Sequence, residues 1–199
     1  IFAMQFTLTE EQLMIQQAAR DFAVNECLPG VIERDEKQKF PYEQIMKLAD
    51  LGFMGVMINP EYGGAGMDNI SYTIAMEEIS KIDASVSVCM SVNNSLVCWG
   101  IQQFATEEQK QKYLVPLAQG KKDGELYIGA FLLSEPEAGS DATSQRTTAE
   151  DKGDHYILNG TKNWITNGNS ASVYLVIAQT DVSKGSRGIN VFIVEKKWP

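Results

Sequence analysis

The sequence predicts an α+β multidomain chain, an all-α helical domain over residues 1–120 followed by a β domain over residues 121–199. Three observations carry that prediction. Apolar residues recur at helical spacing as far as Gly120 and at strand spacing beyond it. Two capping boxes, Thr9-Glu10-Glu11-Gln12 and Thr106-Glu107-Glu108-Gln109, lie in the first part, where they satisfy orphan N–H groups and put acids at the positive end of a helix. Closely spaced turn signals, Lys152-Gly153-Asp154, Asn159-Gly160, Asn167-Gly168 and Lys184-Gly185, fall in the second. Helices grouped first and strands grouped second separate this chain from an alternating α/β protein.

The first helix starts after Thr9, carries an apolar stripe through Leu13, Ala18 and Phe22, and is ended or kinked by Pro29-Gly30. A second runs from about Tyr42 to Leu51 and stops at Gly52, followed by an irregular loop, Asn59-Pro60-Glu61-Tyr62-Gly63-Gly64-Ala65-Gly66. Helical patterns continue over Ile70–Ile82 and Ala84–Phe104, and the second capping box opens a helix that reaches Leu117 before Gly120 closes it. Strand patterns then cover Tyr127–Ser134, Arg146–Asp151, His155–Leu158, the neighbours of Trp164, Val173–Thr180 and Ile189–Glu195. There is no internal repeat or low-complexity segment.

With 199 residues, 44% hydrophobic and 22% charged, the chain has apolar material for one large core or two modest ones, which excludes disorder. No apolar run approaches the ~20 residues of a membrane span, so no membrane is expected. The net charge of −9 and the lack of a basic cluster argue against nucleic acid as a partner. The acidity is uneven: residues 1–120 hold 8 basic and 16 acidic side chains, residues 121–199 hold 9 and 10. The β half is therefore the easier place to receive a polyanion. Ile1–Ala3 precede Met4 without the basic and apolar character of a signal peptide and are set aside from the fold.

Cys27, Cys89 and Cys98 have no CxxC spacing, so a reducing compartment is expected and neither a disulfide framework nor a metal site is. His155 is the only histidine and reads as a surface imidazole. Walker, GxSxG, HExxH and post-strand GxGxxG patterns are absent. Two segments could carry chemistry. Ser134-Glu135-Pro136-Glu137-Ala138-Gly139-Ser140-Asp141 reads either as a plain β–β connection or as a strand end offering N–H and hydroxyl donors to a ring edge or to phosphate and amide oxygens. In Asn159–Gly168, Trp164 reads either as a core or edge aromatic or as a flat wall beside the Thr166 hydroxyl.

The stretches Gly129–Asp141 (GAFLLSEPEAGSD) and Lys162–Gly168 (KNWITNG) resemble the signature and the flavin-contact strand of the acyl-CoA dehydrogenases. Pro60–Gly66, Ala75–Ile79, Phe104–Leu117 and Gly185–Glu195 resemble the same family in the same order, from Phe6 onward. Ser91–Leu96 is most similar to the short-chain, butyryl-type members, and Glu137 departs from the small residue many relatives have there.

The resemblance implies a helical domain, a β-barrel-like middle domain that contacts FAD, and a C-terminal four-helix domain expected beyond Pro199. It implies that Phe131, Leu132, Leu133, Ser134, Gly139 and Ser140 lie along the flavin, with Leu133 and Ser134 at its pyrimidine side. Ser140 is implied to reach the pantetheine or phosphate part of the thioester. It further implies that Trp164 covers a face of the isoalloxazine, that Ile165 contacts it through backbone, and that Thr166 hydrogen-bonds near N5. The activity implied is α,β-dehydrogenation of an acyl-CoA, with electrons passed to electron-transfer flavoprotein by a homodimer or homotetramer in the bacterial cytoplasm or the mitochondrial matrix. No catalytic residue is expected in this chain, because the family's glutamate base belongs to the C-terminal domain. An acyl-CoA oxidase or flavin monooxygenase of the same fold, and a non-enzymatic acyl-CoA- or protein-binding fragment, are the alternatives. Glu77 and Glu78 are read as structural carboxylates.

Overall fold

The structure, a computed structural model, describes residues 7–198; Ile1–Ala3 and Pro199 lie outside them. The chain divides into two compact units at Leu126/Tyr127, each described by itself.

The first unit is helical. Helix α1 (Glu10–Phe22) starts on the expected capping box, with Thr9 and Gln12 each accepting from the other's backbone N–H, and widens to π-helical turns over Ala23–Cys27. Gly30, at φ 75°, breaks it from α2 (Val31–Glu36). The face α1 buries is Gln12, Ile15, Ala19 and Phe22; Leu13 and Ala18, expected on the apolar stripe, are exposed. The stripe lies one position away because Ile15, Ala19 and Phe22 share the i, i+4, i+7 row. Helix α3 (Tyr42–Asp50) ends at Gly52, φ 77°. Helix α4 (Asn69–Ser80) is capped by the Asp68 carboxylate, and a bidentate Arg20–Glu78 pair at 3.0 and 3.1 Å ties α1 to it.

A continuous helix follows over Ala84–Phe104, made of α5 (Ala84–Ser91), π-helical turns over Val92–Cys98 and α6 (Trp99–Phe104). By length and composition this helix could cross a membrane, which corrects the expectation that no such run exists; Ser, Asn and Gln hide it from a search for unbroken apolar residues. Buried Asn93 and Asn94 at its middle hydrogen-bond the backbone of residues 53, 54, 56 and 117, making it the core helix of this unit. The second capping box opens α7 (Glu107–Gln109), which continues through π-helical turns into α8 (Val115–Gln119) and closes at Gly120, φ 70°.

The hairpin β1 (Lys121–Lys122) and β2 (Glu125–Leu126) belongs to the helical unit, where Lys121 pairs with Asp50 and the Tyr42 hydroxyl donates to Glu125. The division therefore falls after Leu126, not after Gly120, because a two-residue strand pair has no face of its own to bury and joins the helices.

The second unit is a five-stranded mixed sheet: β3 (Gly129–Leu132), β4 (Thr148–Asp151), β5 (Tyr156–Asn159), β6 (Val173–Gln179) and β7 (Ile189–Glu195). Its centre is β6, an apolar VYLVIAQ run buried at six of seven positions. Strand β7 pairs antiparallel along β6 from Val173↔Glu195 to Gln179↔Ile189. The other edge of β6 is shared: β3 runs parallel to its first half (Gly129↔Val173 to Leu132↔Val176), and β4 joins parallel at Thr148↔Gln179. Strand β5 completes the order antiparallel to β4. Among the described residues no pairing closes the sheet, so the unit is an open sheet where the resemblance implied a barrel-like domain. Trp164 and its neighbours form turns, not a strand; Trp164 itself is left-handed at φ 59°.

Candidate flavin-contact site

Strand β3 leaves the edge of β6 after Leu132, and the chain returns as β4 at Thr148. The expected donor segment is the excursion between them. Backbone groups that leave a ladder need other partners, and those partners come from the second expected segment. The Leu133 carbonyl accepts from Lys162 Nζ at 3.0 Å, and the Ser134 carbonyl from the Asn163 N–H at 2.9 Å. Where the chain comes back, the Glu135 carboxylate accepts from the N–H groups of Arg146 (2.6 Å) and Thr147 (3.0 Å). Glu135 and Ala138 also exchange backbone hydrogen bonds at 3.0 and 3.2 Å, folding Glu135–Ala138 into a tight turn that leaves Glu137, Gly139 and Ser140 exposed.

The other end of the Trp164 segment is tied as well. Asn167, left-handed at φ 65°, donates from Nδ2 to the Gly129 carbonyl at 3.1 Å, and the Tyr174 hydroxyl donates to the Gly168 carbonyl at 3.0 Å. Gly160 packs so closely on Thr147 that a Cβ there would lie 2.2 Å from its Oγ1.

Strand alternation puts Leu132 on the face opposite Phe131 and Leu133. Leu132 and Ile165 line an open cleft of about 520 Å³ with Thr147, Leu158, Tyr174 and Val176. Phe131, Leu133, Ser134 and Thr166 are half-buried. Trp164 is 93% exposed, which excludes a core aromatic and leaves an edge aromatic or an outward wall. The structure thus brings Ser134 and the Trp164 segment together and leaves Gly139 and Ser140 at the exposed rim.

Lys162 and Glu135 carry much of this geometry and were not among the expected site residues. Their side chains are 6% and 3% exposed, with Nζ 2.7 Å from Oε1. Burial raises the Glu135 pKa, but Lys162, the Thr147 hydroxyl and the Arg146 and Thr147 N–H groups together outweigh it and hold the carboxyl at about 2. Both residues stand inside the quoted motifs; the available signal was that a lysine and a glutamate flank the segments, which reads as solvated charge unless the segments are known to meet. Thr147 Oγ1 is buried beside the Glu135 carboxylate, and Thr147 lines the cleft together with Lys162.

The remaining titratable groups offer no competing centre. His155 is exposed, with Nδ1 2.6 Å from the Asp154 carboxylate. Burial pushes the thiols of Cys27 and Cys89 up to about 12 and that of Cys98 higher still, which removes them as nucleophiles. Glu78 is structural as expected, held at about 2 first by the Arg20 guanidinium, against burial, with Lys81 adding to it. No His/Cys/Asp/Glu cluster that could hold a metal exists among the described residues.

Family models match the chain twice: residues 9–121 as the acyl-CoA dehydrogenase N-terminal domain, and residues 130–199 as the acyl-CoA dehydrogenase middle domain. The chain belongs to the acyl-CoA dehydrogenase family. A short-chain specific acyl-CoA dehydrogenase of Clostridium acetobutylicum is 48% identical over 193 residues, covering 97% of this chain and 50% of that protein. A chain from the solved structure described as the electron transferring flavoprotein of Acidaminococcus fermentans is 48% identical with a TM-score of 0.93, over 98% of this chain and 50% of that one. A glutaryl-CoA dehydrogenase from Mycobacterium smegmatis in complex with FADH2 is 37% identical with a TM-score of 0.87, over 96% and 47%. The chain spans about half the length of these relatives. Acyl-CoA dehydrogenases are FAD-dependent oxidoreductases, and FAD is the cofactor to which this chain's family points. An outward indole and half-buried apolar strand ends beside the Ser134 hydroxyl fit a flat heteroaromatic group with polar edges.

Proposed function

We propose that this chain is the helical and flavin-contacting part of a short-chain acyl-CoA dehydrogenase that converts an acyl-CoA to the trans-2-enoyl-CoA and passes electrons to an electron-transfer flavoprotein. The observation that carries the reading is the junction at which the Asn163 N–H meets the Ser134 carbonyl, 2.9 Å apart, in a chain of this family. The cofactor FAD, when bound, supplies two-electron acceptor chemistry that no side chain here offers.

The chain's own residues bind and orient. Leu133 and Ser134 close the sheet edge with hydroxyl and N–H donors suited to a ring edge on which negative charge gathers. Phe131, Leu132 and Ile165 supply apolar contact, Trp164 is the wall that keeps water from one face of the ring, and Thr166 brings a hydroxyl beside it. Gly139 lies along the flavin, and Ser140, at the exposed rim, faces the pantetheine or phosphate of the thioester.

Removing the α-proton needs a carboxylate whose pKa lies near working pH. Glu135 and Glu78, held at about 2 by their ion pairs, are too weak as bases. The family resemblance implies that the base belongs to the C-terminal helical domain. The complete enzyme works as a homo-oligomer in bacterial cytoplasm or the mitochondrial matrix.

Titration of the chain with FAD, followed by tryptophan quenching and flavin absorption, tests the reading. Saturable binding that is weakened by Trp164→Ala is expected, together with no dye-linked oxidation of butyryl-CoA by this chain alone. Binding indifferent to Trp164 would sink the assignment of the wall, and robust turnover would sink the assignment of the base.

A further inference from the structure

We propose that the buried Lys162–Glu135 pair is a positioning clamp: it locks the excursion between β3 and β4 against the Trp164 turn and so fixes the spacing between donors and wall. The clamp's role rests on the flavin reading above; its mechanics do not.

The argument begins with what the excursion leaves unpaired. Departure from β6 frees the Leu133 carbonyl, and return at β4 brings the part-buried Arg146 N–H and the buried Thr147 N–H to the Glu135 carboxylate. Apolar packing cannot satisfy an acceptor and two donors at once. An ammonium has three donors and no acceptor, and a carboxylate is acceptor only. Lys162 uses all three donors, on Leu133 O at 3.0 Å, Glu135 Oε1 at 2.7 Å and Gln145 Oε1 at 3.0 Å. Glu135 accepts from Lys162, Arg146 and Thr147. Such saturation leaves the pair one arrangement, whereas an apolar pair of similar volume would tolerate several.

Position in the chain turns that arrangement into a device. Lys162 is followed by Asn163, whose N–H is bonded to Ser134, and then by Trp164 in a left-handed conformation that a bulky residue keeps only where its surroundings over-determine it. The Trp164 indole itself is exposed and buries too little to hold its own backbone. The restraint comes from the residues before it, Lys162 and Asn163, and after it, Asn167. Glu135 closes the same circuit from the Ser134 side.

Comparison of the wild-type chain with Lys162→Met and with the double variant Lys162→Met/Glu135→Gln tests the clamp; the double variant leaves no unpaired buried charge and covers the case in which the single one fails to fold. Native-state hydrogen exchange of the Asn163 N–H is expected to accelerate about tenfold or more, while the amides of β6 keep wild-type rates. In the same variants the Kd for FAD is expected to rise about tenfold, as loss of a supporting contact does in other preorganised sites. Equal acceleration at Asn163 and β6 would make the pair a general stabiliser and overturn the proposal, as would an unchanged Asn163 rate. Local acceleration with unchanged FAD affinity would overturn the link to flavin spacing. If the wild-type chain takes up no FAD, the flavin reading fails by itself, and the exchange rates still decide the clamp.

Discussion

Glu135→Gln should change how the β unit responds to acid, and the size of the change follows from the carboxyl's surroundings. In the folded chain its pKa is about 2, against an ordinary 4.5. A depression of that size corresponds to roughly 3 kcal/mol at 1.36 kcal/mol per pKa unit. Because the folded value is the lower one, this stability is fully present above pH 4.5 and is lost as pH falls from 4.5 toward 2. At pH 7 the variant also leaves the Lys162 ammonium buried without its counter-ion, a loss of about 3–5 kcal/mol. Urea unfolding of both proteins at several pH values between 7 and 2.5 measures the difference. The gap should be widest at neutral pH and narrow toward the acid end, where the wild-type carboxyl becomes a neutral group like the amide. Glu78, also held at about 2 in the helical unit, titrates in both proteins and cancels from the comparison. A gap that stayed constant from pH 7 to pH 2.5 would refute the reasoning, because the lost energy would then have nothing to do with the Glu135 charge.

Asn94→Ala should cost the helical unit about 2–6 kcal/mol in urea unfolding, since it strips the buried Val56 N–H (2.7 Å) and Phe53 carbonyl (2.9 Å) of their partners at about 1–3 kcal/mol each; a loss under about 1 kcal/mol would mean that water or a neighbour replaces the amide. Gly160→Ala places a Cβ 2.7 Å from the Thr147 Cα, a backbone clash that should cost about 1–3 kcal/mol by the same measurement, and wild-type stability would show that this turn yields freely. Trp164→Gly should separate stability from binding. Relief of the left-handed backbone leaves unfolding free energy unchanged or raises it by up to about 1 kcal/mol, while FAD quenching titrations show weaker binding; a clearly destabilised variant would place the indole in a packed contact.

Where the fold was legible, the signal was local chemistry. The two capping boxes, the breaks at Gly30, Gly52 and Gly120, and five of the six strand patterns depend on neighbours within a few residues, so sequence spacing reveals them. The misreadings required knowledge of partners distant in the chain. Leu13 was placed on the buried face of α1 because any apolar residue at roughly helical spacing qualifies, and it is packing on α4 that selects Ile15, Ala19 and Phe22. The apolar Trp164-Ile165 pair suggested a strand, yet there is no free edge of β6 for it once β3, β4 and β7 are seated. For the candidate site, both segments were recognisable, but their meeting was not. Lys162 and Glu135, 27 residues apart, become a pair only after β3 leaves the sheet. Period and propensity contain no statement about where a strand departs from its neighbour, so the excursion and the charges that support it were hidden for the same reason.

The clamp also bears on how a polyanionic ligand can be received. The sequence assigns most of the −9 charge to the helical half and leaves residues 121–199 near neutral, which suits an anionic cofactor and thioester. Yet the most deeply placed cation on the site, Lys162, spends all three donors inside the protein. It contributes field but no direct bond. On the exposed stretch beyond the turn, the Thr143 and Ser144 hydroxyls are likewise committed, donating to Asp141. Direct contacts to a ligand are thereby left to backbone N–H groups and to uncommitted hydroxyls at the sheet edge, groups whose positions are set by the fold. Recognition of this kind depends on geometry more than on net charge, and geometry is what a saturated ion pair beneath the site is able to supply.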